Sequence, residues 1–141
     1  MSDLDPYRIK LQKLIQQECS VSILNDTKWK RAIEVLRNFP VKFRIKRLSV
    51  SNVSQWNTGF CSVPDNYVEL ASIGPILALE IEYLEVDTIE RKYRGKFVDS
   101  EIIFHTEEIE ESLLSLKVPY IKDDAIIRIQ GHIMREQNNS L

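Results

Sequence analysis

The stretch Asn25-Asp26-Thr27-Lys28-Trp29-Lys30-Arg31-Ala32-Ile33-Glu34-Val35-Leu36 decides how this chain folds. It predicts a helix whose first free amides are capped by the side chain of Asn25 or Asp26. Four apolar residues recur at the i, i+3, i+4 and i+7 spacing of one helix face: Trp29, Ala32, Ile33 and Leu36. We therefore expect Trp29 to be largely buried against a sheet.

A second helix is predicted before this stretch, over residues 6–18. Pro6 suits its first position because proline has no N–H to leave unpaired. Asp5 is the expected cap, and Leu4 and Ile9 stand in hydrophobic-staple positions. Pro40 cannot donate to a helix ladder, so the Trp29 helix is expected to end just before it.

Beyond Pro40 the apolar period changes from 3.6 to 2. Residues 41–46 alternate apolar and basic side chains, which predicts a half-buried strand whose outer face carries Lys42, Arg44 and Lys46. The strongest predicted strand covers residues 76–86, with Glu80 and Glu82 on one face. We expect the two strands to be antiparallel neighbours, because pairing them places basic side chains opposite acidic ones.

The remaining pattern completes an α+β domain. It predicts short strands at 57–63 and 102–104, a turn at Gly74-Pro75, a helix capped by Thr106, and a terminal hairpin formed by 118–121 and 126–133. The charged connection 87–100 is either a β-hairpin or a mobile functional loop. The prediction is one α+β domain over 1–141, with a mainly antiparallel sheet of about five to six strands. Two helices lie at its N-terminus, one helix precedes the C-terminal β-hairpin, and about 136–141 form a frayed tail.

Composition excludes several classes of protein. The chain has 141 residues, 43% of them hydrophobic, and a formal net charge of -2 from 19 basic and 21 acidic residues. That balance argues against a general nucleic-acid binder, which is usually basic. The two cysteines form no C-x-x-C motif, and no apolar run is long enough for a signal or a membrane span. A reduced, cytoplasmic setting without membrane contact is therefore expected.

No recognisable catalytic or metal site is present, and no cofactor is expected. His105 and His132 lack the partners of a metal or acid–base site, so both are expected to be ordinary surface or edge residues. Cys61 is expected to be a small buried hydrophobe. Glu80 and Glu82 lie two apart on the predicted strand, so a hydrolase built on this carboxylate pair stays an alternative.

Two charged segments are candidate contact surfaces for a macromolecule. The first is an acidic run, which is interpreted either as an exposed binding face or as a face paired with the basic strand: Glu80, Glu82, Glu85 and Asp87. The second interleaves cations with aromatics: Arg91, Lys92, Tyr93, Arg94, Lys96 and Phe97. Its composition is typical of a solvated hairpin and also suits nucleic-acid contact. The predicted partner-binding residues are the four acidic ones together with Arg91, Lys92, Tyr93 and Arg94.

The order of three motifs resembles a family of small bacterial proteins of unknown function. Its members read N-T-K-W-x-x-L near the start, I-E-W-(I/L)-E-(I/V) in the middle and (I/V)-R-(I/V)-x-G-Y at the end. The corresponding segments here begin at Asn25, Ile81 and Ile127, and the resemblance covers residues 24–133. This chain inserts Asp26 before Thr27 and has Tyr83 and His132 where the family has tryptophan and tyrosine.

The resemblance implies no chemistry for any residue. Stand-alone proteins that look like this are often immunity-like, so it implies a non-enzymatic protein that binds a bacterial toxin. An acidic face would speed association with a basic toxin, and reversing charge at Glu80, Glu82 or Asp87 is then expected to weaken binding without unfolding the protein. A nucleic-acid-associated protein using the 91–97 segment is the alternative. The oligomeric state stays open.

Overall fold

The structure, a computed structural model, describes residues 6–61, 67–70 and 72–135. Within them, three α-helices and ten β-strands form an α+β arrangement, which confirms the predicted fold class. The helices are α1 (Pro6–Glu18), α2 (Asp26–Leu36) and α3 (Thr106–Ser115). The strands are β1 (Cys19–Ser22), β2 (Lys42–Arg47), β3 (Tyr67–Leu70), β4 (Ile73–Leu77), β5 (Ile81–Asp87), β6 (Ile89–Lys92), β7 (Glu101–Phe104), β8 (Ile121–Asp123), β9 (Ile126–Gln130) and β10 (His132–Met134).

Helix α2 forms as its sequence predicts. The cap is Asn25, whose Oδ1 accepts a hydrogen bond from the Lys28 amide at 2.9 Å. Trp29 is 1% exposed, and Ala32 and Leu36 on the same stripe are fully buried, which confirms that this face packs into the core. The helix is thus held by the burial of one apolar face rather than by the intrinsic helix propensity of its sequence.

The main sheet has four antiparallel strands in the order β2-β5-β9-β8. The predicted pairing of β2 with β5 is confirmed, with Arg44 opposite Glu85 and Lys46 opposite Tyr83. One face of the sheet supplies the core through side chains that are at most 1% exposed: Phe43, Ile45, Leu84, Val86, Ile127 and Ile129. The six other strands form two-stranded sheets, β1-β10, β3-β4 and β6-β7.

The predicted strand over 76–86 is two strands separated by a turn of 3-10 helix, Ala78–Glu80. The first part belongs to β4, which pairs with β3, and the second part is β5 of the main sheet. Gly74-Pro75 lies within β4 rather than in a turn, and proline is tolerated there because a two-stranded sheet leaves each strand one unpaired edge. The 3-10 turn therefore breaks the alternation that placed Glu80 and Glu82 on one strand face.

The chain changes sheets at Gly131, between β9 and β10. Its amide donates to the Glu82 carbonyl at 2.7 Å, and its carbonyl accepts from the Ile23 amide at 2.8 Å. Residues 132–134 then pair with β1. Three parts of the chain meet at this glycine, so its lack of a side chain permits the close approach.

We expect the substitution Gly131→Ala to lower the free energy of unfolding by about 1–3 kcal/mol, the usual range for overpacking. An added Cβ would run into the Ile81 carbonyl oxygen and would lie 3.0 Å from Cζ2 of Trp29. Urea unfolding followed by far-UV circular dichroism measures the change. Gly59→Ala is the matched control, because nothing lies within 4 Å of the Cβ it would add. Equal stability of the two variants would contradict this account of Gly131.

Other boundaries depart from the sequence pattern. Thr106 is the first residue of α3 rather than its cap; its Oγ1 lies 2.6 Å from Oγ1 of Thr88 instead. The described part of the predicted strand 57–63 makes only isolated bridges, at Asn57 and Phe60. Connection 87–100 forms β6 and the turn of a β-hairpin, as one of its two interpretations predicted, and the hairpin is completed by β7, which contains the predicted strand 102–104. The predicted cap Asp5, the staple residue Leu4 and the tail 136–141 lie outside the described residues.

Candidate functional site

The four acidic residues predicted to form a binding face each have a cationic partner within the protein. Ion pairs join Glu82 to Lys46 at 3.2 Å and Asp87 to Arg91 at 3.6 Å. Glu80 and Glu85 are paired more closely and are themselves buried. The predicted cross-strand pairing of basic and acidic side chains is therefore confirmed.

Glu80 is fully buried and joins three parts of the chain. Its Oε1 accepts hydrogen bonds from Nε of Arg47 at 3.1 Å and from the Ser49 hydroxyl. Its Oε2 accepts from the Tyr7 hydroxyl of α1 at 2.6 Å. Burial, and then the contact with Glu80, raise the pKa of Tyr7, so this phenol stays protonated and donating. The carboxylate thus ties α1 and the segment after β2 to the 3-10 turn.

Glu85 lies between two arginines on the outer face of the main sheet. Arg44 of β2 pairs with its Oε1 at 2.7 Å, and Arg128 of β9 pairs with its Oε2 at 2.9 Å. Each guanidinium group also stacks on an aromatic ring, with Arg44 4.4 Å from the centroid of Trp56 and Arg128 3.9 Å from that of Tyr83. Glu85 is 6% exposed because these cations cover it.

The expectation of an exposed acidic face is consequently wrong for Glu80 and Glu85. The reason is physical: neighbouring strands supply a cation for each carboxylate, and a buried charge persists only with such a partner. The premise that charge reversal at Glu80 leaves the fold intact fails for the same reason. Glu82 and Asp87 keep partial exposure.

The carboxylate pair of the hydrolase alternative does not share one strand face. Glu80 ends the 3-10 turn, whereas Glu82 lies in β5. Glu82 lines a cleft of about 410 Å³ together with Arg128 and Gln130, and Glu80 is not part of that lining. The rest of the lining is apolar: Ile23, Pro119, Tyr120, Ile121, Ile133 and Met134.

The expectation of a surface histidine is wrong for His132, which is fully buried. Its Nε2 donates to the Leu79 carbonyl at 2.8 Å, and its Nδ1 lies 2.8 Å from the Ser22 hydroxyl oxygen. The chain bends at Gly131 and leaves the outer face of β9, so His132 does not share a face with Arg128. The histidine therefore links β1 and β10 to the turn before β5.

Cys61 departs from its predicted surroundings, whereas His105 is neither fully buried nor fully exposed. His105 is partly buried, with Nε2 2.8 Å from Oε1 of Glu90 and its ring edge against Phe39. Cys61 is exposed rather than buried, because the strand predicted around it does not form over its described residues. Cys19 is buried, and that burial raises the pKa of its thiol.

The second predicted segment forms a hairpin that stands apart from the main sheet. In the β6–β7 register, Ile89 is opposite Phe104 and Arg91 is opposite Ile102. Thr88 anchors the base of the hairpin, since its amide and its hydroxyl both donate to the Ala125 carbonyl. Ile102 and Phe104 lie two residues apart on one face of the β6–β7 sheet, and both are exposed, so this face is open to solvent.

Exposed apolar side chains are concentrated on this hairpin. It carries five of the eleven large hydrophobic residues that are exposed in the described part of the chain: Tyr93, Phe97, Val98, Ile102 and Phe104. Phe97 is 93% exposed and Tyr93 is 78% exposed. Single exposed hydrophobes are ordinary, but a cluster of this kind marks an interaction surface.

Cations surround these apolar side chains. Arg91 and Arg94 each keep 57% side-chain exposure, with only long ion pairs of 3.6 Å to Asp87 and Glu101. Lys92 and Lys96 are exposed as well. We call the five apolar side chains and these four cations the hairpin surface. Aromatic residues and arginine are enriched at protein interfaces, so this composition suits protein contact.

Sequence reasoning identified the basic tip of the hairpin but missed part of its apolar surface, namely Val98, Ile102 and Phe104. A signal for two of them was present in the run Ile102-Ile103-Phe104. Successive strand residues point to opposite faces, so such a run cannot be buried on one side of a two-stranded sheet. Which of its side chains stay exposed depends on the side of the strand that the rest of the chain covers, and the run alone does not give this.

Other classes of site were searched for in the described residues 6–61, 67–70 and 72–135. No group of three His, Cys, Asp or Glu side chains there is placed to hold a metal ion. None of the helices in these ranges is long and apolar enough to cross a membrane.

Comparison with known proteins gives one match. The model of a family of unknown function matches residues 11–136, which is most of the chain and includes the hairpin. This agrees with the sequence resemblance to a small family of unknown function. No curated protein and no solved structure matches the chain.

Proposed function

This chain belongs to the family of unknown function DUF6678, and we propose that it acts without catalysis, by binding another protein through the hairpin surface. One observation carries the proposal: the most exposed aromatic side chains, Tyr93 and Phe97, lie together on a hairpin outside the main sheet. Leaving such residues in water is unfavourable, and covering them with a partner recovers about 25 cal/mol for each Å² of apolar area.

The specific form of the proposal is neutralisation of a bacterial toxin in the cytoplasm, the task that the sequence resemblance suggests. The contact region differs from the acidic face first expected. Asp87 and Arg91 form an ion pair at the base of the hairpin. Lys92, Tyr93 and Arg94 follow Arg91 directly along the chain, so these five predicted residues form one patch. Glu80 and Glu85 support the fold and not the contact.

We expect the double substitution Tyr93→Ser and Phe97→Ser to weaken partner binding by about 100-fold or more, the effect of losing central aromatic contacts. The probe is the protein encoded beside this chain in its genome, with binding measured by biolayer interferometry and neutralisation measured as rescued growth. Val21→Ser with Val50→Ser is the matched control, because both valines are exposed and lie outside the hairpin. Undiminished binding by the Tyr93/Phe97 variant would overturn the hairpin site, and no binding by the wild type would overturn toxin neutralisation.

Contact with single-stranded nucleic acid is the second candidate, because exposed Tyr93 and Phe97 beside four cations suit base stacking and phosphate contact. The exposed Ile102 favours protein instead, since its aliphatic side chain neither stacks on a base nor binds a phosphate. Fluorescence polarisation with a labelled oligonucleotide separates the candidates. Binding that weakens steeply with salt and disappears on charge reversal of Lys92 and Arg94 would favour nucleic acid.

A further inference from the structure

The exposed face of α3 is acidic and lies next to the hairpin surface along the chain. Helix α3 contains four glutamates and no lysine or arginine. Glu107, Glu111 and Leu114 follow the i, i+4, i+7 spacing of one helix stripe, and all three are exposed, Leu114 at 65%. Only His105 separates α3 from β7. An acidic helix stripe with an apolar end is therefore present at the same corner of the molecule as the hairpin.

The hairpin surface has the opposite charge. Between Arg91 and Glu101 it carries four cations against two acidic residues. Neither surface neutralises itself: Arg91 and Arg94 make only long ion pairs, and the stripe residues Glu107 and Glu111 are exposed. The two surfaces thus complement each other in charge, which favours their association.

The spacing of charged and apolar groups also agrees between the two surfaces. Along α3, Glu107 and Leu114 are seven residues apart, a rise of about 10 Å. On the hairpin, Phe104 and Ile102 point to one face and lie about 7 Å apart along β7, and Arg91 is opposite Ile102 on that face. A helix laid along this face can therefore place Leu114 on Phe104 and Arg91 between Glu111 and Glu107.

We infer that the occupant of the hairpin surface in the free protein is α3 of a second copy of this chain. The contact is reciprocal: each hairpin covers the α3 stripe of the other copy around a two-fold axis, which makes a closed dimer. The hairpin and α3 together approach the roughly 20–30 residues that one side of a standard interface uses. The inference rests on the proposed function, because the dimer and the proposed toxin complex both use the hairpin surface for protein contact. The second copy and the toxin therefore compete for that surface.

Sedimentation velocity of the full chain tests the inference. We expect a reversible dimer at about 100 µM protein in low salt. The dimer is expected to dissociate as salt rises to about 500 mM, because exposed charges are then screened. The double variant Arg91→Glu with Arg94→Glu and the double variant Glu107→Lys with Glu111→Lys should each dissociate at least about tenfold more readily than the wild type.

Mixing the two variants gives the decisive measurement. In the mixed dimer one contact has both charges reversed and the other has both charges native, so attraction is restored at both contacts. We expect a heterodimer of about wild-type affinity. Lys10→Glu with Lys13→Glu on α1 is the matched control, since both lysines are exposed and lie away from both surfaces. Circular dichroism checks that each variant remains folded.

A wild-type monomer at every concentration would overturn the inference. So would a dimer that is insensitive to both reversals, or a mixture of the variants that stays monomeric. These outcomes are distinct from failure of the proposed function: a monomer whose Tyr93/Phe97 variant loses the toxin partner refutes the dimer alone. A charge-swappable dimer that binds no toxin refutes toxin neutralisation alone.

Discussion

Replacing Trp29 by alanine is expected to lower the free energy of unfolding by about 3–5 kcal/mol, the range for deleting a large aromatic side chain from a core. Trp29 is 1% exposed and packs where α2 meets Gly131 at the end of β9. Its removal leaves a cavity that the rigid sheet cannot fill by a small shift. Urea unfolding monitored by far-UV circular dichroism measures the loss.

Two further variants sharpen this prediction. The indole Nε1 of Trp29 has no hydrogen-bond partner among the described residues. Trp29→Phe removes that unpaired group while keeping most of the apolar volume, so we expect it to cost clearly less than Trp29→Ala. Trp56→Ala is the control, because Trp56 is partly exposed and its stacking with Arg44 is worth about 1 kcal/mol. If the Trp29→Ala variant were no less stable than the Trp56→Ala variant, the assignment of Trp29 to the core would be wrong.

The substitution Glu80→Gln is expected to cost about 2–4 kcal/mol. It removes the negative charge opposite Arg47 and leaves that cation without compensation, which is costly at a buried site. The value falls toward the lower part of the usual range because the Arg47 side chain keeps 27% exposure. The glutamine oxygen can still accept from Tyr7, but its NH2 group then faces the donors of Arg47 and Ser49, so the measurement reports the lost charge together with these two hydrogen bonds.

Glu34→Gln makes the same chemical change on the exposed face of α2 and should alter the free energy of unfolding by at most about 0.5 kcal/mol. A Glu80 variant as stable as this control would show that the buried ion pair contributes nothing to folding. The acidic-face hypothesis predicted the opposite pattern, with Glu80 important for binding and neutral for stability. The same pair of variants therefore separates the two roles.

The sequence predicted those elements whose stabilising pattern is local. Helix α2 followed from a cap at Asn25 and one apolar stripe, and both act within a few residues. The pairing of β2 with β5 was predicted because apolar residues alternate with basic ones in β2 and with acidic ones in β5. Placing the two strands side by side buries the apolar residues and sets opposite charges near each other. The basic tip of the hairpin was also predicted, because its cations and aromatic residues form one contiguous run in the sequence.

The candidate site was predicted only in part, because burial depends on residues distant in sequence. Whether Glu85 faces solvent is decided by Arg44 and Arg128, each more than 40 positions away. Ile102 and Phe104 likewise stay exposed because no other described part of the chain covers them on the face of the β6–β7 sheet. No local pattern contains that information.

By itself, the sequence determined the fold class, the buried face of α2 and the charges available for pairing, since each of these is encoded in the period and type of neighbouring residues. The tertiary structure alone decided which charges neutralise one another and which apolar residues stay uncovered. Gly131 illustrates the difference: one residue without a side chain lets three segments meet, and His132 is buried as a result. Such contacts form only when the whole chain has packed, because close packing couples residues that are far apart along the chain.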